Sequence, residues 1–298
     1  MNLLRAFGLT TAIAGTVAVA SVTTARANFA VSDAPAPVMA AANVAVSAGA
    51  APEHVAPPPG YATLQDLPYY PYTGKWTFAR IWTNGGRGGF RRGRFGAIGS
   101  SGGPGWSHDY PSAEVNFSKI LAELTYVNTL IADYGGNVLR FEDPRLTQFP
   151  LAYVSEAGQW FASEEEIRGL RDYLLKGGFV MFDDMRGDHM YNLVEQMRAV
   201  MPELQWMQLD GTEQVFESFF EIDFAKVLYS PDPLNYGQGA FFGLFIDNDK
   251  SKRMIAIANP NVDLGEHWEY SDTGWYPIDL SNEAYKVGVN IVVYAMTH

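Results

Sequence analysis

Two hydrophobic periods alternate along this chain. Residues 76–82 alternate apolar with polar positions and include Phe78 and Ile81, which predicts a first strand. Ala113, Phe117, Ile120, Leu121 and Leu124 then recur at helical spacing behind Ser112, the expected cap. Gly135-Gly136 ends that connection, and residues 138–141 and 151–154 read as short strands. Ser163 and Glu166 form a capping box for a helix from Glu164 to Leu175, with Ile167, Leu170 and Leu174 on its inner face and Gly177-Gly178 as its stop. Residues 179–182 are continuously apolar, as expected of a central parallel strand. Asp188 can cap a helix through Val200, with Leu193, Met197 and Val200 buried, and residues 204–209 form the next strand.

The last third changes rhythm. Residues 240–246 and 253–258 flank the turn Asp247-Asn248-Asp249-Lys250 and predict a hairpin at the sheet edge. Asn282 is the expected cap of a final helix, with Val287, Gly288, Ile291, Val292, Ala295 and Met296 on its buried side. Strand–helix–strand units with short links predict an open α/β sheet between helical layers.

Two stretches escape both periods. Residues 84–105 hold ten glycines with Arg87, Arg91, Arg92 and Arg94 among them, which predicts a long loop able to fold guanidinium groups over an anionic ligand or partner. The N-terminal region divides in two. An apolar run after Arg5 and the small-x-small triplet Ala25-Arg26-Ala27 predict a signal peptide over residues 1–27, with cleavage near Ala27 and a periplasmic or secreted protein. Residues 28–68, rich in Ala and Pro, read as a disordered tether to a single domain over 69–298.

Charge and cysteine narrow the chemistry. The formal charge is −12, and loss of Arg5 and Arg26 with the leader would take it to about −14. Such a chain should repel nucleic acid and anionic lipid, so neither nucleic-acid binding nor stable membrane insertion is expected. With no cysteine, thiolate nucleophiles and Cys-ligated zinc or iron–sulfur sites are excluded. No G-x-S-x-G elbow is present. Ser155 is the one serine in a plausible place, and its neighbours Val154 and Glu156 suit a turn better than an elbow.

Carboxylates remain. Asp183 and Asp184 follow the apolar strand, where open α/β sheets place their ligands. Adjacent residues in extended chain point apart, so one should face the crevice and the other tie down structure. Asp109, held in a defined bend by Pro111 and preceded by His108, is the second candidate. All three could act as a base or hold a cation. No cofactor is predicted, and a divalent cation such as Mg²⁺ is the option left open. Asp263, Glu266, His267 and Glu269 around Trp268 match no established metal signature and read as water-facing acids on a loop packed by Trp268. His189 reads as an ordinary surface position.

Asp109-Tyr110-Pro111, the segment 161–184, Asp263-Leu264-Gly265 with Trp268-Glu269, and the run 288–295 occur in an order that resembles a bacterial family, the domain of unknown function 4159. The resemblance implies a three-layer, flavodoxin-like fold of the class I glutamine amidotransferase type, without the cysteine such enzymes need. It implies no activity. Two readings follow. The first is a non-catalytic binding or assembly module of the bacterial envelope, acting on an envelope protein or anionic ligand. The second is a metal- or carboxylate-dependent hydrolase of an envelope substrate, for which Asp109 and one of Asp183 or Asp184 must converge.

Overall fold

The computed structural model describes residues 64–83, 105–228 and 237–298. The expected leader, most of the expected tether, and Arg87, Arg91, Arg92 and Arg94 lie outside the described residues. Among the described residues, no helix is long and apolar enough to cross a membrane.

Seven strands form one sheet: β1 (Phe78–Ile81), β2 (Gly136–Leu139), β3 (Leu151–Ser155), β4 (Phe179–Met185), β5 (Met207–Gln208), β6 (Phe242–Phe245) and β7 (Met254–Pro260). Their order is β2-β1-β3-β4-β7-β6-β5. The first five in that order are mutually parallel, while β6 and β5 are antiparallel to their neighbours. The helices are α1 (Ser112–Leu124), α2 (Glu164–Leu175), α3 (His189–Val200), α4 (Phe224–Val227), α5 (Leu264–Glu269) and α6 (Ile278–Thr297).

Alternation along the strands splits the core. Tyr153, Phe179 and Met181 pack on one face with Phe117 of α1, Trp268 of α5 and Val289 and Ile291 of α6. Val154, Val180 and Phe182 pack on the other with Leu170 and Tyr173 of α2 and Leu193 and Met197 of α3. Strands buried on both faces have no polar alternation to show, which is why β4 reads as a bare apolar run.

Several expectations shift. The capping box of α2 is present in full, whereas Ser112 is the first residue of α1 and Pro111 stands at its cap position. Asp188 precedes α3 without a side-chain cap bond. The expected strand over 204–209 contracts to two residues, because only Met207 and Gln208 pair with β6. The hairpin is not at the edge: β7 inserts beside β4 and β5 takes the edge position. The final helix begins at Ile278, ahead of Asn282, and Met296 is exposed while the other five expected positions are buried.

Candidate functional site

Four strand-to-helix junctions meet at the carboxyl edge of the parallel strands. They are the segment 105–111 before α1, the turn after β3, the end of β4 and the turn between β7 and α5. Of the six described non-glycine residues with left-handed backbone, Asp109 (φ 64°), Glu156 (φ 49°), Asp184 (φ 51°) and Asn261 (φ 58°) lie in these junctions. Side chains rarely hold that conformation, and it concentrates where function dictates geometry.

Asp183 and Asp184 are both buried and reach different partners, the left-handed backbone of Asp184 turning it aside where the register of β4 against β7 shifts. Asp183 reaches toward α5. Its Oδ2 accepts from the Tyr153 hydroxyl at 2.8 Å and the Gly265 amide at 2.8 Å. Its Oδ1 accepts from the Leu264 amide at 3.2 Å and from Asn259 Nδ2. Burial pushes its carboxyl up to about 6, against the pull of these four donors. It is the pin between β4 and α5.

Asp184 points to the other carboxylates. Its Oδ2 lies 2.8 Å from His108 Nδ1, and its Oδ1 lies 3.2 Å from Arg186 Nε. The same His108 nitrogen is 3.0 Å from Asp109 Oδ1. Asp109 and Asp184, candidates from distant parts of the chain, therefore converge on one ring nitrogen. Burial would raise the Asp184 carboxyl, but His108 and Arg186 outweigh it and hold it down at about 2. Burial would lower His108, but Asp109 and Asp184 together raise it, so the ring is cationic.

The acids of α5 are not water-facing. Leu264 and Trp268, one helical turn apart, anchor α5 to the core and turn Glu266 and Glu269 toward Asp109. Asp263 caps α5 by accepting from the Glu266 amide at 2.9 Å, and its Oδ2 lies 3.2 Å from Arg186 Nη2. Burial, then the charges of Asp184 and Asp109, push Asp263 well above the carboxylate range. Burial and Asp109 push Glu269 up to about 8, and the two side chains share a hydrogen bond. Burial and Asp109 push Glu266 up to about 7, where the Tyr276 hydroxyl donates to its Oε1 at 2.9 Å. Glu156 reaches about 7 through burial and Asp184. Gly265 lets the helix come this close: a Cβ there would stand 2.5 Å from the Tyr153 hydroxyl and 2.6 Å from Asp109 Oδ2.

His189 is half-buried at this edge, where its Nδ1 accepts the Arg186 amide at 3.2 Å. Ser155 is buried with no hydrogen-bond partner for its hydroxyl among the described residues. One ligand atom each from His108, Asp184 and Asp263 falls within a 4.8 Å span, and so does one each from His108, Asp109 and Glu266. A mixed nitrogen and carboxylate set of this kind can hold a divalent cation or shuttle a proton.

These raised carboxyls make stability pH-dependent. The fold keeps Glu156, Glu266 and Glu269 protonated above their unfolded value, so their contribution is complete below about pH 4.5 and is lost as pH rises to 7–8. Buried His267, held down to about 4, opposes this by losing stability as pH falls from about 6.5 to 4. The raised acids, Asp183 and Asp263 among them, outnumber the lowered histidines His267 and His189, so the chelator-treated protein should be less stable at pH 8 than at pH 5. Urea unfolding in EDTA at the two pH values measures this, and a flat profile would contradict the assigned burial of these acids.

Fold and edge together define an α/β protein with a buried carboxylate–histidine centre at the carboxyl end of a mostly parallel sheet. Residues 94–296 match the family described as Domain of unknown function (DUF4159), and the chain belongs to that family. No curated protein matches it.

Proposed function

We propose that this edge is the centre of a metal-dependent hydrolase, the second of the two readings the sequence permits. One observation carries it: Asp109 and Asp184 share the Nδ1 of His108, and Asp263 and Glu266 each belong to a cluster with this histidine whose ligand atoms fall within 4.8 Å. Asp109, Asp184, Asp263 and Glu266 would hold the cation, and His108 would join them on giving up the ring proton that the carboxylates favour in its absence. The histidine nitrogen shifts preference from Mg²⁺ or Ca²⁺ toward Mn²⁺, Fe²⁺ or Zn²⁺. A bound ion of this kind would supply a water acidic enough to act as nucleophile near neutral pH. Glu156, close to neutrality in its proton affinity, stands ready to exchange the proton.

A non-catalytic envelope module would need the Arg–Gly loop and crevice to hold a partner, but not four left-handed acidic and amide residues at one edge. The strand order β2-β1-β3-β4-β7 supports a flavodoxin-like, glutamine amidotransferase-like architecture, whose ligands bind at this edge. The test is thermal unfolding of the purified chain with Mn²⁺, Zn²⁺, Mg²⁺ and Ca²⁺, because an ion that binds the folded form must raise its stability. A rise of several degrees with Mn²⁺ or Zn²⁺ supports the reading, and no rise with any ion defeats it.

With the leader over residues 1–27, such an enzyme would work outside the cytoplasm. Expressed in a Gram-negative host, the mature protein should begin at or near Asn28, after Ala25-Arg26-Ala27. N-terminal sequencing of the periplasmic fraction decides this; a cytoplasmic chain that starts at Met1 would refute it.

A further inference from the structure

We propose that Arg80 is the positioning residue of this centre; the inference rests on the metal reading above. Arg80 lies on β1 and is fully buried. Its Nε pairs with Glu114 of α1, itself 1 % exposed. Its Nη1 donates at 2.8 Å to the carbonyl of Trp106 and at 2.8 Å to the carbonyl of His108. One nitrogen thus grips the backbone on both sides of Ser107, the turn that presents His108 and Asp109. The guanidinium also stands 4.8 Å from the centre of the Tyr153 ring, whose hydroxyl donates to Asp183. A single side chain braces both the segment carrying His108 and Asp109 and the pin that sets β4 against α5.

The chemistry requires arginine. Only a planar fork with several fixed N–H groups serves a carboxylate on one edge and two carbonyls on another, and a lysine ammonium cannot span that set. Glu114 supplies the charge that lets the fork be buried. This division of labour, with ligands in front and their orienting groups behind, is usual at metal centres, where loss of the rear group weakens metal affinity 10- to 100-fold.

Removing one member of the pair would strand a buried charge, so the main test is the double variant Arg80→Met/Glu114→Leu. Apolar replacement of a whole buried ion pair commonly preserves the fold. Manganese affinity is measured by calorimetry. The His108 Nδ1 proton, shared with Asp184 and Asp109, is followed by proton NMR on histidine-labelled protein. Arg80→Lys is carried in parallel and decides by the same criteria if the double variant does not fold. Cooperative unfolding with at least about tenfold weaker Mn²⁺ binding and loss of the His108 signal supports the proposal. Cooperative unfolding with unchanged affinity and an unchanged signal overturns it. If the unmodified protein takes up no Mn²⁺, the metal reading fails, and the His108 signal alone decides whether Arg80 positions the turn.

Discussion

Asp183→Ala is expected to cost at least about 4 kcal/mol, enough to threaten folding of the domain. Hydrogen bonds to a charged group contribute roughly 1.5–3 kcal/mol each, and donors left without acceptors in a dry interior carry a further penalty. Asp183 receives four, from Tyr153, Asn259, Leu264 and Gly265. Loss of the carboxylate strands all four donors between β4 and α5. Asn should recover only part, because its amide N–H₂ would face donors on one side. Urea unfolding measures both variants. A cost near the 0.5–2 kcal/mol of an ordinary cap would show that α5 does not depend on this pin.

Asp184→Asn is expected to abolish cation binding at a smaller cost in stability than Asp183→Ala. Its carboxylate sits among Asp109, Asp263 and Glu156, so one fewer negative charge relieves repulsion while the pairs with His108 and Arg186 are weakened. The pairs with His108 and Arg186 prevail, as the depressed carboxyl shows, so the variant loses stability as well as a ligand. Metal affinity should fall by more than the 10- to 100-fold typical of an orienting residue, because a ligand itself is lost. Asp109→Asn should behave alike. Calorimetric titration with Mn²⁺ beside urea unfolding separates the cases. Unaltered Mn²⁺ binding in both variants would remove them from the ligand set.

The sequence made the frame legible and the centre only half so. The capping box of α2 and the apolar run of β4 follow from period and propensity, which are local, whereas no local pattern marks the left-handed turn that sends Asp184 aside. His108 carries no such mark, since a histidine between a serine and an aspartate has no periodic signature and gains meaning only when Asp184 arrives beside it. The α5 acids read as water-facing because six residues are too few to display a helical stripe. A signal existed: Asp263 stands three residues before Glu266 as a cap, and Leu264 and Trp268 one turn apart make one anchored face. Arg80 alternates inward on β1 like any core position, and its charge should have flagged it, because a buried arginine demands partners.

The burial of α6 has a consequence for the order in which the protein can be made. Val287, Val289, Ile291 and Val292 pack in the layer that covers Phe117, Tyr153 and Phe179, and β7 must slot beside β4. Everything from β1 through β4 is synthesised before either arrives. A nascent chain therefore displays α2 and α3 on one sheet face and, on the other, only α1 over apolar strand residues until α5 and α6 have emerged. Such long-range closure is slow. During that interval the exposed apolar face is open to aggregation, and a chain that ends before Ile278 should form a sticky intermediate in place of a smaller folded domain.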